Sequence, residues 1–273
     1  MDRVIIYGTY HFLGFSLCEK LLDEGIQVCG FRLSEEISED FLEEKKLLIG
    51  RNANFEEKMV GSEAVTFMED SLKSDMIIVI SFYDIYYSID EYPFLILEKI
   101  LMNINKQYSD VKVIILFPTD FIEDIPEAVN RQFNHLKENE FRIQKIYIPT
   151  VFGPWQPSVF LFQQYLLKEF LNAEPKLDKR ETTSDAIFIK DIIDLIIKLM
   201  KSNEMNDYLI QSNSSGQWFK GAEHLKLKLA TNKLAINDLT ASGTVNIIKL
   251  KESISIIDGL EQQKRHLSRL FQV

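Results

Sequence analysis

Short, mostly apolar runs, each stopped by a glycine, a proline or a polar turn, recur along the first 150 residues and restrict the folds open to this chain. Residues 3–7 (Arg3 to Tyr7), 27–31, 76–80, 111–117 and 142–148 are such runs, and residues 46–49 are a shorter one. A strand with one wet face alternates apolar and polar residues; a run that does not alternate is buried on both faces. Between the runs the spacing changes to three and four, as at Phe12, Leu13, Leu17, Leu21 and Leu22, with Gly25 where a helix would stop. Helices are likewise expected over residues 92–107 and 130–139. Strand, glycine turn, helix and strand within about thirty residues make a βαβ unit. The expected fold is therefore α/β, a doubly wound and mainly parallel sheet with helices on both faces.

After Pro149 the rhythm weakens. Gly153-Pro154-Trp155-Gln156-Pro157 is turn-rich, helices are expected over residues 158–172, 191–201 and 255–271, and residues 211–221 read as loop. Residues 1–150 are taken as the sheet-forming region and residues 151–273 as a smaller C-terminal lobe packed on it as one structural unit. Acidic residues outnumber basic ones 41 to 31, a net charge of −10, which argues against nucleic acid or an anionic membrane surface as a partner. No uncharged apolar stretch approaches the ~18 residues of a membrane span, so a cytoplasmic protein is expected. Cys18, Cys29 and the four histidines lack the spacing of a metal site; the cysteines are expected to be buried, reduced thiols.

The turn after the first strand reads Gly8-Thr9-Tyr10-His11-Phe12-Leu13-Gly14. It resembles the Gly-x-x-Gly-x-x-Gly turn of the extended short-chain dehydrogenase/reductases, the NAD-dependent epimerase/dehydratase kind that acts on nucleotide sugars. Further segments resemble that family in order. They are Ile78-Val79-Ile80-Ser81-Phe82, Ile114-Ile115-Leu116-Phe117-Pro118-Thr119, Pro149-Thr150-Val151-Phe152-Gly153-Pro154-Trp155, Ala186-Ile187-Phe188-Ile189-Lys190-Asp191 and Ser255-Ile256-Ile257-Asp258-Gly259-Leu260. The resemblance implies a Rossmann-type fold, NADP or NAD as cofactor, a nucleotide or nucleotide sugar as ligand, and a homodimer through the helices at 92–107 and 130–138. It places the cofactor against Gly8, Tyr10, His11, Phe12, Leu13, Gly14, Arg32, Ser81 and Phe82, and a catalytic hydroxyl at Thr119.

The chain departs from that family where the chemistry lies. His11 replaces the middle glycine, and its imidazole either occupies the pyrophosphate space or turns outward to bind phosphate. Arg32 stands where an acidic ribose ligand is usual; it either pairs with a 2′-phosphate, favouring NADP, or is a solvated surface cation. The family's tyrosine acid/base, with a lysine four residues on, should fall between Thr119 and the strand at Arg142, yet residues 122–141 contain no tyrosine. Tyr108 and Lys112 have the right spacing but stand before a strand, at the wrong end of the sheet, where Lys112 is expected to be solvated. Thr119 with Asp120 also suits a helix cap or turn, and His135 is a candidate substitute acid/base. Two functions stay open: an epimerase/dehydratase-like enzyme, or a non-catalytic ligand- or partner-binding module on the same fold.

Overall fold

The structure is a computed structural model, and it describes residues 1–33, 40–60, 76–89, 91–104, 111–171, 174–227 and 245–271. The strands are β1 (Arg3–Tyr7), β2 (Gln27–Arg32), β3 (Phe55–Met59), β4 (Met76–Ile80), β5 (Lys112–Pro118), β6 (Arg142–Ile148), β7 (Thr150–Phe152), β8 (Ala186–Phe188), β9 (Asp207–Ser212) and β10 (Val245–Leu250). The helices are α1 (Phe12–Asp23), α2 (Leu42–Ile49), α3 (Phe82–Ser88), α4 (Pro93–Asn103), α5 (Glu127–Glu138), α6 (Leu161–Leu171), α7 (Ile189–Lys201), α8 (Gln217–His224) and α9 (Ile256–Leu270).

Eight strands form one sheet in the order β10-β9-β6-β5-β4-β1-β2-β3, every pair parallel, while β7 and β8 pair separately. The chain winds outward from β1 in both directions. The strand order therefore reverses between β1 and β4, opening a crevice at their C-terminal ends. Alternate residues feed opposite faces: Val4, Ile6, Ile114, Leu116 and Ile146 enter one core, and Ile5, Tyr7, Ile78, Ile80, Ile115 and Phe117 the other. The expected doubly wound, Rossmann-type sheet is thus present. Gly25 ends α1 in a left-handed conformation (φ 76°), with its N–H on Leu22 O and that of Ile26 on Leu21 O.

Four local expectations are corrected. Residues 46–49 are not a strand but the end of α2. Leu47 and Leu48 there face solvent while Lys45 and Ile49 face inward, a helical spacing that a four-residue apolar run cannot reveal. Residues 211–221 are not all loop, because β9 runs to Ser212 and α8 starts at Gln217. The edge strands β3 and β10 escaped the sequence reading, being only partly buried and carrying charges. Lys112 is buried, not solvated: its ammonium donates to Leu199 O (2.7 Å) and Ser202 O (2.9 Å) at the end of α7, and burial lowers its pKa to about 8. Tyr108 lies outside the described residues. Both cysteines are buried free thiols, with Cys29 pushed up to about 12 by burial. Among the described residues no helix is long and apolar enough to cross a membrane.

Candidate functional site

The turn from β1 into α1 keeps the backbone shape that its glycines promise. Gly8 is left-handed (φ 88°) and donates to Phe31 O on β2 (2.9 Å), and His11 N donates to Gly8 O (3.1 Å). A Cβ on Gly14 would stand 2.1 Å from Gly8 O, so only glycine lets α1 start this close to β1. A Cβ on Gly30 would meet the Thr9 side chain at 2.7 Å. His11, by contrast, has an ordinary extended backbone (φ −78°, ψ −177°). The middle position of this turn therefore makes no conformational demand for glycine; what a glycine would supply there is space.

That space is filled. The His11 ring is buried, with Nδ1 3.0 Å from Ser88 Oγ. Burial foremost, then the charges of Lys45 and Arg32, lowers its pKa to about 3, so the imidazole is neutral across the physiological range. The ring is thus turned inward and not out toward solvent. Behind it sits a residue that the sequence did not single out, Asp84 of α3, only 1% exposed. Its Oδ1 accepts from Leu13 N (3.1 Å), and its Oδ2 accepts from Gly14 N (2.9 Å) and Ser81 Oγ (2.8 Å). Burial raises the Asp84 carboxyl to about 6, opposed by these three hydrogen bonds and by the charge of Lys45. An Asp four residues past an apolar strand and two past a phenylalanine gives no motif signal; only the fold carries it across to α1.

Around the turn the other side chains are engaged with one another. Lys45 reaches in from α2 and donates to Tyr10 O (2.7 Å), its ammonium 5.6 Å from the ring centroids of Phe15 and Trp155. The Tyr10 hydroxyl donates to Glu57 Oε2 (2.6 Å), and Arg32 Nη1 lies 3.9 Å from Glu57 Oε1. Arg32 is buried, which corrects the reading of it as a solvated surface cation, and a carboxylate of β3 already stands beside its guanidinium. Phe12 and Leu13 point into the core, and Phe82 packs on Phe94, Phe117 and Phe121 on the opposite face of the sheet. Gly14 and Ser81 are thus brought to Asp84, with Gly8 beside Ser81 and His11, whereas Phe82 is carried away from them.

These residues can be tested against a dinucleotide. Its pyrophosphate would sit at the N-terminus of α1, on free backbone N–H groups and the positive end of the helix dipole. Here the Leu13 and Gly14 N–H groups already donate to a carboxylate. That carboxylate would face two phosphate charges in a buried place. The residues present do not fit a pyrophosphate at this turn.

Thr119 lies at the C-terminal end of β5, two strands from β1. It is wholly buried, with Oγ1 3.4 Å from Thr182 Oγ1, whose hydroxyl donates to Asp120 Oδ1 (3.0 Å). Residues 178–182 form a strap over this end of the sheet. Arg180 pairs with Asp178 and donates to Tyr86 O (2.9 Å) and Ile89 O (3.2 Å), while Tyr87 donates to Arg180 O (2.9 Å) and Thr150 to Thr182 O (2.5 Å). Glu181 turns inward to accept from Leu161 N (2.8 Å) and Trp218 Nε1 (2.9 Å), and burial raises its carboxyl to about 7. The tyrosines of α3 near this end, Tyr83, Tyr86 and Tyr87, all have phenols pushed above the usual range, foremost by burial. An acid/base tyrosine needs the opposite shift. His135 is exposed on α5, beside Asn139.

No family model and no curated protein matches the chain. Solved structures do match, over nearly its whole length. A variant of UDP-glucuronic acid 4-epimerase from Bacillus cereus, in complex with a fluorinated UDP-glucuronic acid and NAD, superposes with a TM-score of 0.71 at 13% identity, over 98% of this chain and 99% of that one. For dTDP-glucose 4,6-dehydratase from Bacillus anthracis in complex with NAD the TM-score is 0.66 at 12% identity, with 98% and 97% covered. For UDP-glucose 4-epimerase from Thermotoga maritima with UDP-glucose it is 0.62 at 14%, with 98% and 99% covered. The sequence resemblance and the architecture thus converge, and the chain has the Rossmann-type fold seen in NAD-bound nucleotide-sugar epimerases and dehydratases.

Proposed function

We propose that this chain is a non-catalytic binding module built on the epimerase/dehydratase fold, with a nucleotide or nucleotide sugar as its ligand class. The observation that carries this reading is the end of β5. Thr119 keeps the family position, but its hydroxyl is buried against Thr182 beneath the 178–182 strap, and residues 122–141 supply no tyrosine to work beside it. Function follows the residues of a site more closely than it follows a fold, and the proton-transfer couple that hydride chemistry requires is missing. The ligand class rests on the full-length likeness to proteins bound to UDP-sugars.

The test is direct. The purified protein is incubated with NAD or NADP and, in turn, UDP-glucose, UDP-glucuronic acid and dTDP-glucose, while nicotinamide absorbance and sugar products are followed. Calorimetry with each nucleotide sugar alone runs in parallel. Binding of a nucleotide sugar without product is the expected result. Turnover linked to either dinucleotide would overturn the reading.

A further inference from the structure

We propose that Asp84 is a built-in anion that takes the place of a dinucleotide pyrophosphate at the start of α1, so that this chain holds no dinucleotide there. The inference deepens the reading of a non-catalytic module and rests on it.

The cradle itself is intact. Gly8 is left-handed, Gly14 allows the close approach of α1, and the crevice between β1 and β4 is where the strand order reverses. What differs is who uses it. Both carboxylate oxygens of Asp84 are spent on the turn, on two consecutive backbone N–H groups of α1 and on the Ser81 hydroxyl. The carboxylate thus matches the N-terminal N–H groups and the dipole, as a bound anion would. The His11 imidazole, for its part, is held at Ser88, on the same short helix as Asp84. The charges also close on themselves. Lys45 faces Asp84 and His11 from α2, while Arg32 and Lys46 each lie 3.9 Å from Glu57 of β3. A dinucleotide would have to expel a buried carboxylate that has its counter-charge and hydrogen bonds in place. Removing one partner of such a set leaves buried groups unsatisfied.

A bare tether between α3 and α1 would make the same hydrogen bonds, so the experiment must separate tether from surrogate. The wild type, Asp84→Gly, His11→Gly and the double variant are titrated with NADP and with inorganic pyrophosphate, by calorimetry and by thermal unfolding. The wild type and His11→Gly are expected to show no binding of either ligand. Asp84→Gly should gain pyrophosphate binding, seen as a rise in its unfolding midpoint, and the double variant should gain NADP binding at least tenfold over either single variant. Folded Asp84→Gly and double variants that gain no anion binding would show Asp84 to be a tether only and overturn the proposal.

A measurement on the unmodified protein covers the case in which the variants do not fold. The amide signals of Leu13 and Gly14 should shift with pH as Asp84 ionises and stay unmoved when NADP is added. Their displacement by stoichiometric NADP would overturn the proposal. Sugar turnover with these amides unmoved would sink the reading of function and leave this one standing. Nucleotide-sugar binding without turnover, alongside NADP at these amides, would do the reverse.

Discussion

His11 and Asp84 are both buried, with pKa values pushed in opposite senses from their type, and this makes the acid behaviour of the molecule readable at single residues. His11 falls from 6.5 to about 3. Its folded form therefore binds fewer protons than the unfolded chain, so its stabilisation is complete above about pH 6.5 and is lost as the pH falls toward 3. Asp84 rises from 3.8 to about 6. Its folded form binds more protons, and stability declines as the pH rises from about 4 to 6. Glu181, raised from 4.5 to about 7, acts in the same sense as Asp84 over its own window. Each fully shifted group contributes a slope of up to about 1.4 kcal/mol per pH unit inside its window. Replacing His11 by Gln should remove the acid-side loss and leave the two carboxyls in charge. The urea midpoint of His11→Gln is then expected to climb as the pH falls from 7 to 4, while that of the wild type changes less. Parallel curves for the two proteins would show that His11 does not titrate as its burial implies. Arg32 teaches a related lesson. An arginine after the second strand reads equally as phosphate ligand or surface cation; burial rules out the second, and the Glu57 that stands beside it belongs to a strand that the sequence pattern did not reveal.

Among the elements, α1 depends most sharply on single atoms. Gly14 and Gly25 bracket it for different reasons. A Cβ at Gly14 would collide with the backbone of Gly8, whereas one at Gly25 meets nothing within 4 Å and is disfavoured only by the left-handed backbone. Gly14→Ala is accordingly expected to cost on the order of 3 kcal/mol, by pushing α1 off the turn. Gly25→Ala should cost about 1 kcal/mol. Chemical denaturation of both variants checks the ranking, and equal losses would contradict it. The helices α4 and α5 carry our proposal of a homodimer. On α4 Leu95 and Met102, with Tyr92 just before them, are exposed, while α5 turns Glu127, Asn130, Arg131, His135 and Lys137 outward. Light scattering at tens of micromolar should give twice the chain mass of 31.8 kDa, and Leu95→Glu should shift it toward the monomer. A wild-type mass of one chain would end the proposal.

At the scale of the whole molecule, the tail is tied to the β7–α6 segment by buried amides. Gln263 of α9 donates to Gln156 Oε1 and Gln163 Oε1 (both 2.7 Å), and its Oε1 accepts from Gly153 N (3.0 Å). Gln263→Leu would strand those partners, and a loss of about 3 kcal/mol in urea denaturation is expected; a loss under about 1 kcal/mol would mean that the network is slack. Nothing in residues 255–271 announces this, because a glutamine on an amphipathic helix looks like surface. What the sequence determined by itself was the architecture. Unbroken apolar runs such as 76–80 and 113–117 are stable only when covered on both faces, and Gly8 and Gly25 sit in left-handed backbone that few other residues accept. What only the tertiary structure decided was the state of the site. Asp84 is 70 and 71 residues from the two amides that it occupies, and Thr182 is 63 residues from the hydroxyl that it covers. Periodicity and turn chemistry are local, carried by neighbours along the chain, whereas the occupancy of a crevice depends on which distant side chains the finished sheet aims into it.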